Sequence, residues 1–223
     1  MTLRFALAAV ALLATPALAA PARKAPAPKP YVAPPLHDIE RVAITTELGI
    51  ITLDLEGKRA PISTANFLHY VDTRRFDGMT FYRSMHLPWG DQPNGLVQGG
   101  VRGNPLKTYP PVAHEPTSQT GVLHKAGAIS LARLAPGTAT GDFSIMLADL
   151  DGLDAKPDSA DAEARAGYAA FGHVVEGMDV VRKIWDQPID PVKGEGFMKG
   201  QIIAQPVKVL TVRRVAMPDA AKP

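Results

Sequence analysis

Between Arg41 and Gly57 apolar and polar positions alternate with a period of two. Val42 and Ile44 precede Glu47-Leu48-Gly49, after which Ile51, Leu53 and Leu55 are separated by Thr52 and Asp54. That pattern predicts a β-hairpin with one buried face. The period then lengthens. From Ala60 to Gly78, Ile62, Ala65, Phe67, Leu68 and Val71 form a helical stripe; Pro61 suits a first turn, Ser63 or Thr64 can cap its free N–H groups, and Phe76-Asp77-Gly78 closes it. Short strand-like runs follow: MTFYRS, LVQGGV, GAISLAR, FSIMLA and YAAFGHVV. A second helix, EGMDVVRKIW, places Met178, Val181, Ile184 and Trp185 on one face. A last strand is expected in VKVLTVRRV. Many short strands, two short helices and Gly/Pro-rich connections, without an internal repeat, predict a mainly β chain folded as a closed antiparallel barrel with capped ends.

The ends of the chain depart from this pattern. Met1 to Ala19 carries one charge at Arg4, an apolar run from Phe5 to Leu13 and the small-x-small sequence Ala17-Leu18-Ala19. That is the arrangement of a cleavable signal peptide, and the run falls short of the roughly 20 residues that span a bilayer, so export without a transmembrane anchor is expected. Residues 20–38 are rich in Pro and Ala and read as an extended linker. The barrel domain is assigned to 39–217 and a disordered tail to 218–223.

The 223 residues suffice for one good-sized core. The formal net charge of +2 invites a nucleic-acid reading, but Arg4, Arg23, Lys24, Lys29 and Lys222 lie in the flanks with Asp219, and the rest of the chain holds 19 basic against 21 acidic residues. With no basic stripe interleaved with aromatics, nucleic acid is not an expected partner. The chain has no cysteine, which removes disulfides, thiolate nucleophiles and Cys-ligated metals and suits an oxidising compartment. Together with the signal peptide this points to a periplasm.

The six histidines show no HxxxH or HExxH spacing, so no metal is expected. Ser130 and Ser144 lie in strand-like runs without a G-x-S-x-G elbow, which disfavours a serine hydrolase. No phosphate-binding glycine loop leads from a strand into a helix, and no cofactor is expected. What remains is Arg83, set among hydrophobic residues in FYRS. An arginine there needs a partner or a task, because an unpaired charge out of water costs several kcal/mol.

In order along the chain, TELGIITLDLEGKRAPISTANFLHYV, FDGMTFYR, LVQGG, GAISLAR, PGTATGDFSIML and FGHVVEGMDVVRKI resemble the cyclophilin-type peptidyl-prolyl cis-trans isomerases, from about Arg41 to Val215. The resemblance implies an eight-stranded barrel with a helix at each end, a binding groove on its outer face, and isomerisation of X-Pro bonds without a cofactor. It further implies that Arg83 is the catalytic arginine and that Gln98 is the groove glutamine that helps hold it and the peptide backbone.

Other groove positions are altered. The spacer between Arg83 and Gln98 is longer than the family's, fourteen residues from Ser84 to Val97, and the apolar pair before the glutamine reads Gly95-Leu96, keeping Leu96 and losing an aromatic. Asp142 takes the place of a polar groove residue that hydrogen-bonds the peptide, or alternatively pairs with Arg83. Ser144 replaces the phenylalanine on the floor of the proline pocket. Gly152 falls where a tryptophan is common, followed by Leu153 as in the family; Tyr168 stands for a groove histidine. Ala132 is kept, and Arg133 replaces a backbone-binding asparagine. Residues 155–166 read as an inserted, solvated loop. Trp89, in the enlarged loop HLPWGDQPN, can fold over the groove as a lid and restore an aromatic wall, while Met146, Leu96 and Phe143 can repack toward Ser144, although strand alternation with Ser144 turns Phe143 toward the core. Weak cyclosporin binding is expected.

Two functions follow. The first is an exported, monomeric, periplasmic isomerase acting on proline-containing peptides and folding envelope proteins. The alternative is a peptide-binding or chaperone-like module on the same fold with little or no turnover.

Overall fold

The computed structural model describes residues 31–217. Residues 1–30, which hold the expected signal peptide and the first part of the expected linker, and residues 218–223, the expected tail, lie outside the described residues. The chain is already against the barrel before residue 39: Leu36 packs on the core, and the Asp38 carbonyl accepts from Lys58 N at 3.2 Å.

Among the described residues nine strands and four α-helices form, in chain order β1 (Glu40–Thr46), β2 (Gly49–Leu55), α1 (Pro61–Asp72), β3 (Thr80–His86), β4 (Gly95–Gly100), α2 (Thr117–Thr120), β5 (Ala128–Leu131), β6 (Asp142–Met146), α3 (Ala162–Ala166), β7 (Ala169–Glu176), α4 (Met178–Trp185), β8 (Ile189–Asp190) and β9 (Ile202–Arg214). Eight strands close an antiparallel barrel in the order β1-β2-β7-β5-β6-β4-β3-β9, because β9 pairs with β3 through Phe81–Val207 and with β1 through Ile44–Val212. Closure removes the unpaired edges of an open sheet. The two-residue β8 adds a ninth strand on the start of β9.

Alternation sets the interior. Val42, Ile44, Ile51, Leu53, Leu55, Phe81, Val97, Ile129, Phe143, Ile145, Phe171 and Val209 point inward and are essentially inaccessible. Phe143 packs edge-on against Phe67 at 5.2 Å and Phe81 at 5.8 Å between ring centres, in the range favoured by aromatic quadrupoles. Of the helices, α1 adds Phe67, Leu68 and Val71 to the core and α4 adds Val180, Val181 and Ile184. Among the described residues no helix is long and apolar enough to cross a membrane.

The first turn of α1 is capped otherwise than expected. Neither Ser63 nor Thr64 caps it, and their buried hydroxyls have no hydrogen-bond partner among the described residues. Instead the buried Glu115 accepts from Ile62 N at 3.1 Å and Ser63 N at 2.9 Å. A carboxylate from 52 residues away meets the unsatisfied donors and the positive end of the helix dipole. The insertion also differs from expectation: it contains the helix α3, whose cap Asp161 accepts from Ala164 N at 2.8 Å.

Candidate active site

Strand register lines up one row of the barrel's outer face. Ile202 of β9 is paired with Arg83 of β3, Arg83 with Gln98 of β4, Gln98 with Ser144 of β6 and Ser144 with Ser130 of β5. Side chains that alternate with the inward Val97, Phe143 and Ile129 therefore stand side by side on the outside.

Arg83 is 6% exposed and burial lowers its pKa from an arginine's ordinary value; it stays charged because guanidinium is so strong a base. Its Nη1 donates to Gln98 Oε1 at 2.7 Å. Its Nε and Nη2 both donate to Gln201 Oε1, at 2.9 and 2.7 Å, and Nη2 also lies 3.4 Å from Met85 Sδ. These partners are neutral, so the cation is held without being neutralised.

The strand beneath is fixed by α4. Trp185 donates from Nε1 to the Met85 carbonyl at 3.2 Å, accepts from Ser84 Oγ on its own carbonyl at 2.8 Å, and stacks on His86 at 3.7 Å.

Gln98 continues the network: its Nε2 donates to Tyr82 Oη at 2.8 Å, and Tyr82 donates on to Asp142 Oδ2 at 3.2 Å. Asp142 Oδ1 accepts from Arg102 N at 2.8 Å. Desolvation raises the pKa of both Tyr82 and Asp142. The expected alternative in which Asp142 pairs directly with Arg83 does not occur: Tyr82 and Gln98 intervene, and Asp142 is held by a hydroxyl and a backbone N–H.

Beside Arg83 lies a second apolar cluster, separate from the core: Leu96, Ala128, Met146 and Leu150, flanked by Met85, Leu87 and Leu153. Leu96 and Met146 are paired across β4 and β6. Phe143, in contrast, points into the core. The missing aromatic at Gly95 has a steric cause. Gly95 adopts φ +143°, and a Cβ there would lie 1.9 Å from the Met85 carbonyl oxygen, so no side chain fits. Gly152, in contrast, faces open space.

The remaining expected residues divide. Ala132 N donates to the Asp142 carbonyl at 2.9 Å, and Tyr168 N to the Leu153 carbonyl at 2.8 Å. Arg133 does not offer its side chain to the groove. The side chain is 1% exposed, paired with Glu163 at 2.9 Å, donates to Gly167 O at 2.6 Å and stacks on Tyr168 at 4.4 Å; the insertion has recruited it. Trp89 is 63% exposed and does not form the expected aromatic wall. The aromatic next to Arg83 is Phe197, 5.1 Å from the guanidinium carbon to the ring centre.

Phe197 and Gln201 were not legible beforehand. They lie in a glycine-rich connection without periodicity, and only the pairing of β9 with β3 brings them to Arg83. The floor has a further support: Ser130 Oγ lies 2.9 Å from His124 Nε2, and His124 Nδ1 2.7 Å from Asp154 Oδ1. That order of groups matches a hydrolase triad, but Ser130 is 3% exposed, and its place is structural. Among the described residues no group of His, Cys, Asp and Glu is arranged to hold a metal ion.

Comparison with known proteins agrees with this geometry. Residues 41–213 match the family model described as cyclophilin type peptidyl-prolyl cis-trans isomerase/CLD. A peptidyl-prolyl cis-trans isomerase of Acinetobacter baylyi is 34% identical over 176 residues, covering 77% of this chain and 84% of that protein. Peptidyl-prolyl cis-trans isomerase A of Dickeya dadantii is 37% identical over 147 residues, 64% and 70% of the two chains. A Cryptosporidium parvum cyclophilin-type isomerase, solved in the presence of the dipeptide Ala-Pro, superposes with a TM-score of 0.61 at 17% identity, covering 80% of this chain and all of that one. The chain belongs to the cyclophilin-type peptidyl-prolyl cis-trans isomerases.

Proposed function

We propose that this chain rotates X-Pro bonds of exported, folding envelope proteins in the periplasm, with Arg83 as the fixed donor to the prolyl nitrogen. The observation that carries the reading is the grip on Arg83: a buried guanidinium held by Gln98 and Gln201 carbonyls rather than by a carboxylate.

An X-Pro bond resists rotation because the nitrogen lone pair is delocalised into the carbonyl, with a barrier of about 18–20 kcal/mol. Twisting returns that lone pair to nitrogen. A donor already aimed there gains more in the twisted transition state than in either planar ground state, which is the condition for catalysis. Arg83 has N–H groups beyond those engaged by Gln98 and Gln201, and its partners fix the fork before substrate arrives. The prolyl ring is assigned to the cluster of Met85, Leu96, Met146 and Leu153, of which Met85 touches the guanidinium. Ser144 and Asp142 bound the groove on the far side of Gln98, with Ala132 and Tyr168 beyond. No general base, nucleophile or metal takes part.

Export rests on the segment Met1 to Ala19 and on the absence of cysteine. Cell fractionation, with N-terminal sequencing of the mature protein, tests it. A protease-coupled assay on an Ala-Pro-containing peptide tests catalysis: the wild type accelerates isomerisation and Arg83→Ala loses about 10²–10³ in rate. The second reading, a peptide-binding module with low turnover, draws on the thinned proline pocket at Gly95, Ser144 and Gly152. It gains if the wild type is no faster than Arg83→Ala yet still suppresses aggregation of unfolded protein.

A further inference from the structure

Residues 191–201, between β8 and β9, make contacts that the barrel does not need for closure. The segment is internally bonded, with Gly200 N donating to Lys193 O at 2.8 Å and Gln201 N to Met198 O at 3.1 Å, and it is tied to β3 by Ser84 N to Gln201 O at 2.9 Å. Gln201 uses both ends of its amide. Oε1 takes two N–H groups of Arg83, and Nε2 donates to Phe197 O at 2.9 Å. The orientation of Arg83 and the placement of Phe197 are therefore set by one side chain.

Phe197 is 75% exposed beside that buried cation. Met198, the next residue in the chain, lines a cleft of about 580 Å³ between Tyr82, Arg102 and Asp142 on the barrel and the segment carrying Lys193 and Glu195. The floor is apolar: Ile202, Ile203, Ala204 and Pro206. Tyr82 precedes Arg83 in the chain and Ile202 is its register partner in β9, so the cleft begins one residue from the reacting group. Its volume falls within the range of small-ligand sites, about 300–1,000 Å³.

We propose that Phe197 and this cleft form a subsite for an apolar or aromatic side chain adjoining the substrate proline, and that Gln201 is a positioning residue for Arg83. The proposal rests on Arg83 acting at the prolyl nitrogen. An apolar neighbour of the proline covers the exposed ring and the apolar side of the cleft formed by Met198, Ile202, Ala204 and Pro206, which faces the charged lining residues Arg102, Asp142, Lys193 and Glu195. Of the two cations in the lining, Lys193 is paired with Asp190 at 3.1 Å and Arg102 lies over the Tyr82 ring at 4.7 Å, so the Glu peptides are the arm of the test that decides against an acidic occupant.

The test uses the full chain and two peptide series, with Ala, Leu, Phe or Glu placed immediately before or immediately after proline. Isomerisation is followed by exchange NMR, which avoids a coupling protease with preferences of its own, and binding by chemical-shift titration. Phe197→Ala should weaken binding and raise KM about tenfold more for the Leu and Phe peptides of one series than for its Ala peptide, and be largely rescued by Phe197→Leu. Gln201→Ala should lower kcat roughly ten- to hundredfold for every peptide with KM little changed. Equal losses on Ala and Phe peptides, a preference for Glu peptides, or unchanged kcat in Gln201→Ala overturns the assignment. If no peptide is isomerised but Phe197→Ala still removes the Phe-over-Ala binding preference, the subsite stands and the catalytic reading fails.

Discussion

Arg83 and Gln98 are register partners on adjacent antiparallel strands, and their side chains meet at 2.7 Å between Nη1 and Oε1. The pairing ties the donor's direction to the barrel rather than to a loop. Lysine at position 83 keeps the charge and loses the fork, since an ammonium cannot bond Gln98 and Gln201 while keeping a fixed donor toward the groove. Arg83→Lys should therefore approach Arg83→Ala in isomerase activity, within about tenfold, and remain at least 10-fold below wild type. Steady-state kinetics with circular dichroism to establish an intact barrel decide it; near-wild-type activity would mean that charge alone suffices.

Phe143 and Ser144 are neighbours with opposite fates. Phe143 is wholly buried against Phe67, Phe76 and Phe81, whereas Ser144 stands on the outer face between Gln98 and Ser130. Phe143→Ala should cost about 3–5 kcal/mol through lost burial and the cavity left behind. Ser144→Ala should cost less than about 1 kcal/mol, because no core volume is removed. Urea unfolding midpoints check the pair, and comparable losses would contradict the strand alternation.

These two residues also show what could be read beforehand. Period-two alternation places Phe143 inside and Ser144 outside, and the same signal marks β1 and β2 while helical spacing marks α1 and α4. Signals that depend on long-range pairing are absent from local sequence. Glu115 caps a helix 52 residues earlier, and Gln201 reaches an arginine 118 residues earlier. The first part of β9 escaped because Ala204, Gln205 and Pro206 are all exposed, which breaks its alternation. The five-residue α3 is too short and polar to leave a helical stripe. Arg133 was assigned to the groove because the position is a groove position; the insertion's partners, Glu163 and Gly167, redirect it.

His124 gives a pH dependence with a definite sign. It is fully buried, and desolvation lowers its pKa from 6.5, more than Asp154 raises it. In the unfolded chain the imidazole titrates near 6.5. Between that value and the lower folded one the unfolded state binds more protons, so this contribution to stability is complete above about pH 6.5 and is lost as the pH falls toward the folded value. His69, lowered chiefly by desolvation too, acts in the same direction. Urea titrations from pH 7.5 to 5 should show stability falling below about 6.5, by at most about 1.4 kcal/mol per pH unit for one proton. His124→Gln should flatten part of that slope. An identical slope in the variant would show that His124 is not its source.

Arg133, whose side chain is 1% exposed, anchors the insertion. Its side chain donates to Leu134 O at 3.1 Å and Gly167 O at 2.6 Å, pairs with Glu163 and covers Tyr168, with Nε lacking a partner among the described residues. Glu163 is 62% exposed, so its half of the ion pair is screened by water and Glu163→Ala should cost no more than about 1 kcal/mol. Arg133→Ala removes charge-assisted bonds to two carbonyls, the one to Gly167 O part-buried, and the stack on Tyr168, and should cost about 2 kcal/mol. The loss should be local at first, because these bonds hold the segment 154–167 against β5 and not the strands to one another. Limited proteolysis should cut residues 155–166 faster in Arg133→Ala than in Glu163→Ala, with cleavage mapped by mass spectrometry. Equal cutting rates in the two variants would mean that the insertion is held by its own α3 and not by the arginine.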